Sequence, residues 1–308
     1  MEGIILASAA IATVYIGSEW STRETNPEEK HTINKKLAAL FPVFGGLTLV
    51  GMYLILRYYG KEYIQMILQG YGSFAAAMCF LRTLNPKSAL GKSLCLLLTA
   101  VITVHYVKTK HWFTSNLLAW TLAANSISMM RIDSFATGAV LLACLFVYDI
   151  YFVFGTDVMV TVATGIDIPA KYVIPNFSKP GRFSMLGLGD IVMPGLMVSL
   201  MRRFDVSNAQ TSKNTNTSTP YFKWTLLAYI LGLAITNFAL YYFRVAQPAL
   251  LYLSPVSILA PLFTAWRRKE LPSLFAFRSE EQSASDDKKN DSTQEIRNKT
   301  RKSLPYMT

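Results

Sequence analysis

Long apolar runs alternate along this chain with short polar segments rich in Lys, Arg, Asn and Ser. A span needs about 20 mainly apolar residues to cross a hydrocarbon core roughly 30 Å thick. That rule predicts nine helices, near 3–19, 37–59, 62–81, 89–107, 112–130, 135–156, 183–201, 221–243 and 248–266. From 267 to 308 the pattern stops, and Ser, Asp, Glu, Lys, Asn and Gln replace the large apolar residues. A segment of that kind cannot bury enough surface to offset its ordering entropy. The expected organisation is an all-α, polytopic membrane domain over 1–266, followed by a disordered polar tail over 267–308.

Composition agrees with a bilayer environment. Apolar residues make up 52% of the 308 and charged residues 16%, with a mean hydropathy of +0.29, whereas soluble domains carry about 25% charge. The first run is preceded by Glu2 and by no Lys or Arg, so it lacks the positive n-region of a signal peptide and is read as a span. Lys and Arg gather on one side of the nine-span plan, at Arg23, Lys30, Lys35, Lys36, Arg82, Lys87, Lys92, Arg131, Arg202, Arg203, Lys213, Arg267, Arg268 and Lys269. By the positive-inside rule that side is cytosolic, which gives a lumenal N-terminus and a cytosolic C-terminal tail. The net charge of +11 arises from residues that flank spans or alternate with acids. No contiguous basic stripe with interleaved aromatics exists, so nucleic acid is not an expected partner. Cys79, Cys95 and Cys144 are an odd set inside spans, which argues against a disulfide framework. No His-Glu-x-x-His pattern occurs, and no metal or cofactor is expected.

Two acids break the apolar pattern. Asp149 interrupts the run 135–154 and Asp190 the run 183–198, neither with a Lys or Arg at the same depth. A carboxyl near the bilayer centre costs roughly 2.5–3.5 kcal/mol, so an intramembrane acid is a functional-site hypothesis. In consecutive antiparallel spans, each acid falls seven residues from the lumenal end, which sets the two at similar depth. Two carboxyls in contact resist double ionisation and share one proton near neutral pH, the state an aspartyl hydrolase requires. The same pair would also serve a proton-coupled transporter or channel, and the residues alone leave both readings open. Gly187 and Gly189, just before Asp190, remove side chains where another backbone would approach.

Tyr148-Asp149, Gly187-Leu188-Gly189-Asp190 and Gln247-Pro248-Ala249-Leu250 resemble the three signature motifs of the presenilin and signal peptide peptidase family of intramembrane aspartyl proteases. The longer strings around them are more similar to the signal peptide peptidase branch than to presenilin. The resemblance implies that Asp149 and Asp190 are the catalytic pair, with Tyr148, Gly187, Leu188 and Gly189 as active-site support. It also implies that Pro248, Ala249 and Leu250 pack beside them at the start of the last span. Further implications are transmembrane-helix substrates such as signal peptides and type II membrane proteins, and residence in the endoplasmic reticulum membrane. Catalysis would need no obligatory partner subunit, while a homo-oligomer or degradation-machinery partners stay open. Substrate helices must unwind before their carbonyls are accessible, and the β-branched segment 157–163 is expected to add a strand to the unwound substrate.

Overall fold

The computed structural model describes residues 2–23, 31–58, 61–84, 88–156, 169–176, 183–211, 219–243 and 247–278. Among these, nine helices have 18 residues or more: α1 (Glu2–Ser21), α2 (Lys35–Tyr58), α3 (Lys61–Leu84), α4 (Ala89–Thr109), α5 (Trp112–Met129), α6 (Phe135–Phe154), α7 (Leu188–Thr211), α8 (Pro220–Phe243) and α9 (Leu250–Arg268). A short α10 (Leu271–Ala276) follows. Six of the nine, α1, α2, α4, α6, α8 and α9, are long and apolar enough to cross a membrane.

The other three long helices reach the same length with more polar sequence, and for α5 and α7 burial explains it. α7 is buried almost continuously from Ile191 to Met201, and α5 buries Ser115, Thr121, Asn125 and Ser128 beside its apolar face. A helix shielded from lipid by its neighbours has no need of a lipid-like surface. The lipid-facing helices show the converse. α2 exposes Leu37, Leu40, Phe44, Leu47 and Leu54, three or more residues apart along one face, and α4 exposes Leu90, Leu94, Leu97 and Val101. An apolar surface of that extent marks contact with a membrane or another protein, and the length and hydropathy of α2 and α4 suit hydrocarbon.

The described part is mostly helical, as an all-α chain should be, and among the described residues four short strands join the helices. β1 (His31–Ile33) pairs in parallel with β2 (Met130–Ile132). β3 (Lys171–Pro175) pairs antiparallel with β4 (Phe183–Gly187), with Lys171 opposite Gly187 and Pro175 opposite Phe183. The β3–β4 hairpin displaces the start of the seventh helix: residues 183–187, expected to be helical, are extended. Its apolar run is too short for periodicity to separate strand from buried helix, and the pairing with β3 decides the outcome.

Ordered structure also continues past the expected boundary at 266. Leu274 is fully buried, Phe277 stacks edge-on against Phe204 with centroids 5.2 Å apart, and Arg278 bridges to Ser134. These apolar anchors hold 269–278 against the helices. Residues 279–308 lie outside the described part.

The core joins α1, α5, α7, α8 and α9, with α2 laid against α6 and with α3 and α4 forming a satellite around Ala76, Tyr106 and Leu118. One end of the bundle gathers β1, β2, the close of α1 and α7, and the start of α8. The opposite end carries the β3–β4 hairpin and the α4–α5 junction. This segregation is what an up-and-down arrangement of consecutive helices produces.

Candidate active site

α6 starts where the Ser134 hydroxyl accepts the Thr137 N–H at 3.3 Å, satisfying one of the unpaired amides of the first turn. From there Phe135, Gly138, Leu142, Leu145, Asp149 and Phe152 recur three and four residues apart, and all are buried. Asp149 occupies a core position of this stripe and is only 2% exposed.

A buried carboxylate needs hydrogen bonds, and Asp149 finds one in the backbone of α9. The Leu250 N–H donates to Asp149 Oδ2 at 3.0 Å. α9 has no side-chain cap of its own, because Ala249 stands at its cap position, and Pro248 before it has no N–H to donate. Asp149 therefore provides the acceptor that the helix start lacks, and the positive end of the helix dipole favours a carboxylate there. Tyr148 is half-buried beside it, with its ring 4.6 Å from that of Phe152. At Gly46 of α2 a Cβ would lie 3.4 Å from Phe152 and 3.6 Å from Tyr148, so the glycine lets α2 close onto this aromatic pair.

Asp190 arrives by a different route. The Leu188 N–H donates to the Ala170 carbonyl at 3.1 Å, which ends the hairpin, and the chain turns directly into α7. Asp190 consequently stands in the first turn of α7, not seven residues into a span. It is partly exposed, and opens on a cavity of about 790 Å³ walled by α1, β4, α8 and the start of α9. Asp149 lies near enough for its charge to act on Asp190. The two acids expected from sequence are thus brought together, from α6 and α7.

The supporting residues divide. Leu188, Ala249 and Leu250 are buried in the main core, and Pro248 is buried beside them in sequence. At Gly187 a Cβ would lie 3.5 Å from Asp190 Oδ2, an ordinary contact. At Gly189 a Cβ would meet nothing, so the expected close approach of another backbone is absent there among the described residues. The missing side chain instead leaves open space beside Asp190. The segment 157–163, expected to add a strand, lies outside the described residues.

Three features were not anticipated. Asn116 of α5 makes a two-way clamp on β3: its Nδ2 donates to the Val173 carbonyl and its Oδ1 accepts the Val173 N–H, both at 2.8 Å. Tyr172 is buried with its hydroxyl 2.7 Å from that of Thr13, and burial pushes its phenol up to about 12 while the Thr13 hydrogen bond acts against the rise. Tyr229 of α8 is fully buried with a hydroxyl that has no hydrogen-bond partner among the described residues. Asn116 was legible as an amide inside an apolar run; a tyrosine within a span carries no such signal. Among the described residues, no three His, Cys, Asp or Glu side chains come together as a metal site.

Comparison with known proteins places this arrangement. The sequence model of the family described as signal peptide peptidase matches residues 87–281. A probable intramembrane protease of Schizosaccharomyces pombe is 63% identical, over 93% of this chain and 98% of that protein. The signal peptide peptidase of Mus musculus is 33% identical and that of Homo sapiens 32%, each over 90% of this chain and 84% of its own length. The structure of a presenilin family intramembrane aspartate protease superposes with a TM-score of 0.57 over 86% of this chain and 99% of that one. At 17% identity that likeness bears on the fold. The transport alternative finds no support in these matches. The chain belongs to the signal peptide peptidase family of intramembrane aspartic proteases and is a multi-pass membrane peptidase.

Proposed function

We propose that this peptidase cuts transmembrane segments with Asp149 and Asp190 as a general acid-base pair acting on water. The observation that carries the reading is the placement of Asp149. It is held by the Leu250 N–H on one side and acts on Asp190 on the other, while Asp190 opens into the cavity. With one proton shared between them, the ionised acid takes a proton from water and the protonated acid gives its proton to the substrate carbonyl oxygen. The resulting tetrahedral diol collapses as the amide nitrogen is protonated, and the C–N bond breaks without an acyl-enzyme. The pair titrates as a unit, so neither role belongs permanently to one residue.

An unwound substrate has unpaired amides and carbonyls that must be satisfied inside the membrane. Among the described residues the β3–β4 sheet has two strands, which leaves an outer edge on β4 beside Asp190 for an added strand. On this reading all nine long helices are spans. The bundle end that carries Arg131, Arg202, Arg203 and Arg267 faces the cytosol, the N-terminus is lumenal, and the polar C-terminal tail is cytosolic. Substrates then enter with a cytosolic N-terminus, as remnant signal peptides and type II membrane proteins do. The endoplasmic reticulum is the membrane where such substrates are made. Homo-oligomers or degradation-machinery partners are compatible with this arrangement, and the pair of acids is complete within one chain.

Incubating the purified protein with a model transmembrane peptide tests the chemistry directly. Cleavage should be lost in Asp149→Ala and in Asp190→Ala; substantial turnover by either variant would remove that residue from the mechanism. Glycan mapping tests the topology. Asn-x-Ser/Thr sites stand at Asn176, Asn216, Asn290 and Asn298, of which only Asn176 is lumenal in this arrangement. Glycan on native Asn216, Asn290 or Asn298 would overturn it.

A further inference from the structure

Tyr229 is fully buried in α8, and its hydroxyl has no hydrogen-bond partner among the described residues. A phenol buried without a partner is destabilising, and native cores hold few such groups. Phenylalanine would fill the same space without that cost, so the hydroxyl is expected to find its partner in another state of the protein. The surroundings identify that partner. Leu233, one turn further along α8 on the same face, lines the cavity into which Asp190 opens. Asp190 lies close enough for its charge to act on the Tyr229 phenol, and Tyr172 of β3 is the other group that does so. Tyr172 is already engaged, with its hydroxyl 2.7 Å from that of Thr13. The Asp190 carboxyl accepts no hydrogen bond among the described residues, whereas Asp149 accepts the Leu250 N–H at 3.0 Å.

This asymmetry between the acids decides where charge is held. A hydrogen bond to a carboxylate favours its ionised form, so in the resting pair the charge sits on Asp149 and the shared proton on Asp190. Attack by water reverses the arrangement. Asp149 takes a proton from the water, the water oxygen bonds to the substrate carbonyl carbon, and Asp190 passes its proton to the carbonyl oxygen. Asp190 is then the carboxylate and needs a donor; the Tyr229 O–H is the unused one beside it. An interaction made only as that charge appears lowers the barrier without tightening the binding of substrate.

We propose that Tyr229 is a positioning residue for the acid pair: its hydroxyl donates, directly or through one water, to the Asp190 carboxylate formed when the substrate carbonyl is protonated. The phenol keeps its own proton. Tyr229 thereby gives Asp190 the acid role and Asp149 the base role in the attack step, and in the collapse that follows the roles exchange, since Asp149 then holds the proton. The inference rests on the proteolytic reading given above. Other titratable groups near the pair are Tyr148 beside Asp149 on α6, Glu2 of α1 and Tyr241 of α8 in the cavity lining, and Tyr172 of β3 near Tyr229. The described residues of β4 and of the start of α9 add no titratable side chain to that lining.

The test uses the purified full-length protein in phosphatidylcholine nanodiscs with a fluorescent transmembrane peptide, and follows initial rates against pH. Phenylalanine keeps the ring, so Tyr229→Phe should fold with an unchanged or raised unfolding midpoint. Loss of a hydrogen bond to a charged group should lower kcat roughly tenfold, with KM unchanged. Asp190 must hold its proton to act as the acid, so its ionisation sets the basic limb of the profile. Without the donor that limb should move up by about one pH unit, while the acid limb, set by Asp149, stays in place. Ring-fluorinated tyrosine at position 229, a stronger donor of nearly the same size, should move the basic limb the other way. The infrared carboxyl band that Asp190→Asn removes reads the same proton without turnover, and in Tyr229→Phe it should persist to about one pH unit higher.

Unchanged kcat and unchanged limbs in Tyr229→Phe would overturn the proposal. A shift of the acid limb alone would do so too, because it would place the hydroxyl on Asp149. A lower kcat with both limbs in place would reduce Tyr229 to a structural role. No cleavage by the wild type, together with the infrared difference, would overturn the proteolytic reading and leave the bond between phenol and carboxylate standing.

Discussion

α7 carries an aspartate towards each end, Asp190 partly exposed and Asp205 buried, and the surroundings of the two are opposite in kind. Asp205, about 22 Å from Asp190 at 1.5 Å per residue, is 3% exposed. Its carboxylate accepts the Tyr221 and Phe222 N–H groups at the start of α8, at 3.3 and 2.8 Å, within the field of Arg202 and Arg268. The neighbourhood is closed: Arg202 pairs with Glu19 and lies over the Phe222 ring, and the Tyr221 hydroxyl donates to Glu270 at 2.7 Å. Asp190 stands instead in the first turn of its helix, beside a cavity and another acid. Burial alone therefore does not mark a reactive carboxyl in this protein. Asp205 has its hydrogen bonds and counter-charges already in place, whereas Asp190 borders an open cavity, as the proposed proton exchange requires.

The largest expected effect breaks the reactive end. Asp190→Asn should lower peptide cleavage by at least about 10³-fold, as removal of a general acid-base group does, and adding Asp149→Asn should cost little more because the pair acts as a unit. Product analysis by mass spectrometry measures this, and additive losses would show two independent groups. Next comes the structural end. Asp205→Ala leaves two buried amides unpaired, so thermal unfolding in detergent should show a loss of about 1–3 kcal/mol. The kcat of the folded fraction should change little; a collapse of kcat at unchanged stability would erase the distinction between the two acids.

Asp149 sharpens the comparison, since it both faces Asp190 and caps α9. Asp149→Ala should destabilise by about 1 kcal/mol through the lost cap, whereas Asp190→Ala should leave the unfolding midpoint unchanged or raised. Equal midpoints for the two variants would deny Asp149 its capping role. The smallest effect on stability belongs to Tyr229→Phe, which removes a buried hydroxyl without a partner and should alter it by within about 1 kcal/mol, in the stabilising direction. A clear loss of stability would reveal a hydrogen bond to that hydroxyl.

Where sequence reasoning reached and where it stopped follow from the range of the forces involved. The nine long helices among the described residues are close to the apolar runs, because length and hydropathy are local properties, and six of them meet the requirements of a span. Asp149 and Asp190 were legible as acids in runs that otherwise lack charge. Asp205 was not, because it sits among polar residues at a helix end, where an acid is unremarkable. The start of α7 was misplaced because Phe183–Gly187 are apolar in either conformation, and only their pairing with Lys171–Pro175 makes them a strand. The ordered segment around Leu274 and Phe277 was assigned to the tail because its few apolar residues carry no period, although each finds a pocket on the bundle.

The sequence by itself determined roughly where the long helices lie, which motifs identify the family, and which two acids interrupt charge-free apolar runs. Tertiary structure alone decided that Asp149 caps the Leu250 amide across 101 residues, that Asp190 opens a helix at the end of a hairpin, and that Lys110 and Lys171 share a cavity. Hydropathy records how each segment meets its solvent, lipid or water. Hydrogen bonds and cavities depend on which segments meet one another, and that is fixed only when the helices pack.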